Sequence, residues 1–142
     1  MYLCEYVPDI LFVCVENAGR SQIAEAFFRK FASSKFNVLS AGTQPSSQLN
    51  PLVVEVMKEV GIDITNQSPK ILSNNMIKSS FKTINMGCMD KKSCPSLIEN
   101  NILDWNITDP KEKTIEQVRQ IRDQIEREVL QRSEEHTSEL QS

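Results

Sequence analysis

Apolar residues along the chain fall into two alternating rhythms. Asp9-Ile10-Leu11-Phe12-Val13-Cys14-Val15 is a short run rich in β-branched and aromatic residues, the pattern of a strand buried on both faces. A helical period follows, with Ala24, Phe27, Phe28 and Phe31 on one face and Glu25, Arg29 and Lys30 on others. Asn37-Val38-Leu39-Ser40-Ala41-Gly42 reads as a second strand closed by a turn. Asn50-Pro51 then supplies an N-cap and a first-turn proline; Leu52, Val53, Val56, Met57 and Val60 form one face, and Gly61 stands at the C′ position. Phe81 to Met86 and Ile102 to Trp105 read as third and fourth strands. Thr114-Ile115-Glu116-Gln117 fits a capping box opening a last helix, in which Ile115, Val118, Ile121, Ile125 and Val129 form the stripe and Gln131 marks the end. Such alternation predicts an α/β fold, a four-stranded parallel sheet flanked by helices on both faces, with ligands outside the carboxyl ends of the strands.

The final eleven residues, Arg132 to Ser142, read RSEEHTSELQS, which is polar and lacks that periodicity. They are expected to lie outside a single domain spanning 1–131, as a disordered tail similar to the conceptual translation of a sequencing-adapter oligonucleotide. With 142 residues, 39% of them hydrophobic, one core is expected rather than two. The formal net charge of −3 falls to −1 without Arg132, Glu134, Glu135 and Glu139, and no basic run is present to follow a phosphate backbone. No nucleic-acid role is expected. No stretch has the roughly 18 apolar residues of a membrane span, and the N-terminus lacks signal-peptide features. A soluble, cytoplasmic, monomeric chain with no membrane partner is therefore expected.

The only histidine, His136, lies in that tail, so the body offers no Ser-His-Asp or Cys-His catalysis and no imidazole for zinc. Gly19, Gly42, Gly61 and Gly87 are too scattered for a dinucleotide fingerprint or a Walker A loop. Chemistry must come from cysteine, carboxylate, arginine and backbone. Cys14-Val15-Glu16-Asn17-Ala18-Gly19-Arg20-Ser21 places five residues between a cysteine and an arginine, at the switch from the first strand to a helix. Backbone N–H groups from Val15 to Arg20, with the helix dipole, form a cradle for a tetrahedral oxyanion. Arg20 can grip two oxygens through its planar fork. The same field favours thiolate on Cys14, whose reference pKa is about 8.5. Ser21 is placed to bond the sulfur, and Asn17 to brace the loop. As a bare pattern this spacing arises by chance; its place at a strand-to-helix switch gives it weight. Cys88 and Cys94, with five residues between them, can approach and form a disulfide, and in a cytosolic setting such a pair points to catalysis. A zinc site would need Cys4, Cys14, Cys88 and Cys94 together and would consume the nucleophile.

These segments resemble the low-molecular-weight tyrosine phosphatase family, and within it the thioredoxin-coupled arsenate reductases, from about Asp9 to Gln131. Asn85-Met86-Gly87-Cys88 is similar to the family's segment bearing a second redox cysteine, Cys94-Pro95 to its third, and Asp109-Pro110 to the pair whose carboxylic acid protonates the leaving group. Ser40-Ala41-Gly42-Thr43 and Gly61-Ile62-Asp63-Ile64 resemble family segments more generically. The resemblance implies a flavodoxin-like strand order and reduction of arsenate, with phosphate or sulfate as analogues. Cys14, Cys88 and Cys94 would pass a disulfide along, thioredoxin would regenerate them, and the loop holding Cys88 would travel. The alternatives are a phosphatase using Cys14, Arg20 and Asp109 with water as the second nucleophile, and a redox-responsive binding module. Lys111-Glu112-Lys113 stands where tyrosine phosphatases carry tyrosines, which argues against phosphotyrosine. Glu16 stands where they carry glycine. Some relatives hold potassium through residues corresponding to Asn17, Glu25 and Ser40; Lys70 falls where an acidic ligand would lie, so its ammonium is expected in place of the ion, with no metal and no bound cofactor.

Overall fold

The computed structural model describes residues 8–32, 35–86 and 102–141, the last ten of these by backbone alone. The elements run β1 (Asp9–Cys14), α1 (Arg20–Ala32), β2 (Asn37–Gly42), α2 (Pro51–Glu59), α3 (Asn74–Ser79), β3 (Lys82–Asn85), β4 (Ile102–Asp104) and α4 (Ile115–Gln141). The four strands form one parallel sheet in the order β2-β1-β3-β4, with Cys14 paired to Gly42 and Phe12 to Ile84. This is the expected fold class and strand order. The chain leaves β1 for β2 on one side and later crosses to β3 on the other, so the order reverses at β1, and the crevice beyond its carboxyl end is where such sheets bind ligands.

Alternation along β1 divides the core between the two faces of the sheet. Ile10 and Phe12 join α1, α2 and α4 in the larger core, where Phe12 meets Phe28 at 5.8 Å and Trp105 at 5.6 Å between ring centroids. Leu11 and Val13 face the other way, with Ala41 and Ile77 of α3. Local chemistry sets the helix ends. Asn50 Oδ1 accepts from the Leu52 amide at 2.9 Å, Pro51 follows at the first turn, and Gly61 takes φ +80 beyond the last. At α4 the capping box is reciprocal: Gln117 N–H donates to Thr114 Oγ1 at 3.2 Å, and Thr114 N–H to Gln117 Oε1 at 2.9 Å.

Four features differ from the sequence expectations. β3 and β4 each lose flanking residues, although Phe81, Met86 and Trp105 still donate their amides to Asp9, Val13 and Asn85. The periodicity did not reveal α3, which is short, buries only Ile77 and owes its start to Ser73 capping the Met76 amide. Glu25, expected outward, is buried, because the Ser40 hydroxyl donates to it at 2.7 Å and Arg29 pairs with it at 3.1 Å. Lastly, α4 continues to Gln141 instead of ending near Gln131. Nothing between residues 132 and 141 breaks a helix, since the stretch holds neither glycine nor proline and several good helix formers.

Glu59 on α2 ties that helix to α4 by receiving Arg119 at 2.7 Å and Arg122 at 2.9 Å, while Arg119 also pairs with Glu116. The Arg119 hydrogen bond holds the Glu59 carboxyl below its ordinary value; desolvation opposes it, and the Arg122 hydrogen bond adds a smaller lowering. A carboxyl lowered in the folded state contributes stability that is full above its unfolded value and is lost as pH falls through the folded one. Glu59→Gln should therefore lower the melting temperature by about 2 °C near pH 7. In thermal scans the gap from the parent should close as pH falls below the carboxylate range.

Candidate active site

The loop between β1 and α1 is shaped from outside. The carbonyls of Cys14, Val15, Glu16 and Ala18 accept hydrogen bonds from the amides of Thr43, Gln44, Ser46 and Asn50, at 2.8 to 3.2 Å. In a trans peptide the N–H points opposite to the carbonyl, and the described residues contain no cis bond. Turning those four carbonyls toward the 43–50 segment therefore turns the N–H groups of Val15, Glu16, Asn17 and Gly19 toward the concave side. The Asn17 amide donates to Cys14 Sγ at 3.1 Å on that side. Asn17 makes the turn with φ 52, a left-handed conformation that asparagine tolerates better than most residues.

A chain of side chains then orients the sulfur's partners. Asn17 Oδ1 accepts from the Lys70 backbone amide at 2.8 Å and from Gln22 Nε2 at 3.1 Å, which fixes the asparagine amide. Its Nδ2 donates to Ser21 Oγ at 2.6 Å. The Ser21 hydroxyl lies 2.8 Å from Cys14 Sγ, and toward a thiolate it is the donor. All four of these side chains are buried, and donors aimed at the sulfur stabilise negative charge on it.

Arg20 is buried at the first turn of α1. Its Nη1 donates to the carbonyls of Met86 and Ile107, at 3.1 and 3.0 Å, which fixes the guanidinium plane between β3 and the β4–α4 loop. Nη2 lies 3.6 Å from Asp109 Oδ2. Asp109 is half-exposed, with Oδ1 held by the Lys111 amide at 3.0 Å. Gly19 permits this approach, since a Cβ there would stand 2.7 Å from Pro110 Cγ. Cys14, Arg20 and Asp109 thus line one small cleft, with Glu16, Asn50 and Lys111 completing it. The arrangement can hold a tetrahedral oxyanion against inward amides and a guanidinium, attack it with sulfur, and protonate the departing oxygen.

The expected residues Cys14, Val15, Glu16, Asn17, Ala18, Gly19, Arg20, Ser21 and Asp109 thus fall in or directly behind one site, whereas Cys88 and Cys94 lie outside the described residues. Behind the loop, the Lys70 ammonium lies 3.8 Å from Glu25 Oε1 and donates to the Ser68 carbonyl at 3.0 Å, beside Ser40. Sequence reasoning missed Gln22, whose amide also bonds the Asn17 carbonyl at 2.8 Å. A glutamine at a fully buried helix position was its only signal. Gly42 presses on the loop most closely: a Cβ there would stand 2.4 Å from the Val15 carbonyl oxygen and 2.9 Å from the Asn17 nitrogen. Gly42→Ala should cost about 1–3 kcal/mol of stability by overpacking. Because it displaces an inward amide, it should also weaken phosphate binding at least tenfold by calorimetry while far-ultraviolet circular dichroism stays native.

The sequence and the fold both have counterparts among known proteins. The arsenate reductase of Staphylococcus aureus (strain Newman) is 38% identical over 118 residues, 82% of this chain and 88% of that protein. The solved thioredoxin-dependent arsenate reductase of Corynebacterium glutamicum is 39% identical with a TM-score of 0.74, over 93% of this chain and 64% of that one. An arsenate reductase solved in its phosphate-binding state superposes with a TM-score of 0.81 at 28% identity, covering 91% of this chain and 98% of that one. Residues 9–142 match the family described as low molecular weight phosphotyrosine protein phosphatase. With its sequence matched across nearly the whole length, the chain belongs to the low molecular weight phosphotyrosine protein phosphatase family.

Proposed function

We propose that this chain reduces arsenate to arsenite. The cleft, where a buried cysteine sulfur, inward amides and a fixed guanidinium converge opposite Asp109, supports thiol chemistry on a tetrahedral oxyanion, and the observation that carries the choice of arsenate is the sequence likeness. Relatives of more than a third identity that bear the name arsenate reductase support it. The Cys14 thiolate attacks the arsenic of arsenate held by the amides and Arg20, an oxygen leaves as water with a proton from the Asp109 carboxylic acid, and a Cys14–arsenic(V) adduct remains. The Cys88 thiolate then attacks Cys14 Sγ. A Cys14–Cys88 disulfide forms as the sulfur–arsenic bond breaks, and its electron pair reduces arsenic to the trivalent state, released as arsenite. Cys94 attacks Cys88, which frees the Cys14 thiolate and leaves a Cys88–Cys94 disulfide for reduction by the dithiol of thioredoxin. The reading places the protein in the cytoplasm, where thiols stay reduced, as a monomer with no bound cofactor. It also gives the Lys70 ammonium the part of a fixed cation beside Glu25, with no resident metal.

Hydrolysis of phosphate monoesters is the second reading, because Cys14, Arg20 and Asp109 serve it equally and only the second nucleophile differs. Two results separate them when NADPH consumption is followed with thioredoxin and thioredoxin reductase. Cys88→Ser and Cys94→Ser, each tested alone, should abolish arsenate turnover, and Cys88→Ser should leave a slow aryl phosphate hydrolysis. Arsenate turnover that survives Cys88→Ser would sink the relay. Asp109→Ala should slow turnover about a hundredfold or more, the ordinary worth of a general acid; a change within twofold would remove Asp109 from the chemistry.

A further inference from the structure

Across the mouth of the cleft, Lys111 Nζ meets Glu16 Oε1 at 3.0 Å. The two residues come from the two halves of the site, Glu16 from the anion loop and Lys111 from the loop bearing the acid. Each is held where it stands. The Glu16 carbonyl is fixed by the Ser46 amide, while the Lys111 amide donates to Asp109 and Pro110 rests on Gly19. The turn after Lys111 is closed by the Lys113 amide donating to the Pro110 carbonyl at 3.2 Å, with Glu112 at φ 60. A non-glycine residue takes that conformation at a cost, which the surrounding turn must offset. The Glu16 hydrogen bond and charge raise the Lys111 ammonium above its ordinary pKa, so the lysine carries its charge at neutral pH.

In-line displacement decides what this pair obstructs. With Cys14 Sγ at the floor of the cradle, the leaving group departs on the opposite side, past Asp109 and out through the mouth. For a free oxyanion the leaving group is a single oxygen, with nothing attached to carry out through the mouth. The organic part of a phosphate monoester must occupy the space that the Glu16 and Lys111 side chains cross. We propose that the Glu16–Lys111 ion pair is a specificity determinant that favours free tetrahedral oxyanions over phosphate monoesters. This deepens the oxyanion reading above and rests on it.

The test compares ester and free anion on the same protein, because removing Lys111 leaves a bare Glu16 carboxylate that repels both alike. The readout is kcat/KM for p-nitrophenyl phosphate divided by the association constant of inorganic phosphate from calorimetry. Lys111→Ala and Glu16→Ala should each raise this ratio about fivefold, or about 1 kcal/mol, the upper range for an exposed pair. The double variant should rise no further than either single, and Lys111→Arg, which keeps the pair, should stay at the parental ratio. Phosphate binding itself reports that the cradle is folded in each variant. A ratio unmoved in both single variants, single effects that multiply in the double, or a rise in Lys111→Arg would overturn the proposal. Thioredoxin never enters this ratio, so failure of the parent protein to reduce arsenate bears on the proposed function and not on the pair.

Discussion

A planar peptide has two ends, and the site depends on which end is satisfied from outside. The amides of Thr43, Gln44, Ser46 and Asn50 bind successive carbonyls of the Cys14–Gly19 loop. That fixes the opposite ends, the N–H groups, around the sulfur of Cys14. The inward donors are thus a consequence of the β2–α2 connection at least as much as of the loop's own sequence. Held by the protein's own hydrogen bonds, they form a preorganised cradle for an anion. Gly42 belongs to the same constraint, since its missing side chain is the space through which β2 approaches Val15 and Asn17.

Polar groups behind the loop extend that rigidity inward. Asn17, Ser21, Gln22, Glu25 and Ser40 are all buried, a large polar content for the side of a helix that faces a sheet. Each has a partner. The network is therefore a frame and not a set of unpaid desolvation costs. Its positive members, Arg29 and Lys70, approach Glu25 from two sides, so the buried carboxylate is matched close to where the anion site needs no further negative charge. Fixed donors in front and a matched carboxylate behind explain how a chain of net charge −3 can present a local site for an oxyanion.

What could be read from the sequence follows the range of the interaction. The caps of α2 and α4 join residues two or three apart, so Asn50, Pro51, Gly61, Thr114 and Gln117 were legible, as was the β1–α1 switch carrying Cys14 and Arg20. Burial of Glu25 depends on Ser40, fifteen residues away in β2, and no periodicity reports it. The seat of Arg20 depends on carbonyls of Met86 and Ile107, 66 and 87 residues further on. The helix α3 escaped because six residues with one buried side chain carry too little pattern to stand out. The course of α4 past Gln131 escaped for the reverse reason. The change in composition at Arg132 is real, but helix formation there needs only propensity and a preceding turn.

The two loops that frame the cleft meet from the floor to the rim. At the floor Arg20 reaches the Ile107 carbonyl; at mid-height Pro110 lies on Gly19; at the rim Lys111 meets Glu16. The floor contact is buried and the rim contact exposed. A buried hydrogen bond between a guanidinium and a backbone carbonyl is not diluted by solvent, whereas an exposed ion pair is screened and opens readily. The acid loop is thus hinged firmly at its base and lightly fastened at its edge. Such a mounting holds Asp109 in one cleft with Cys14 from its base, and leaves at the rim a pair of side chains that can change without disturbing the floor.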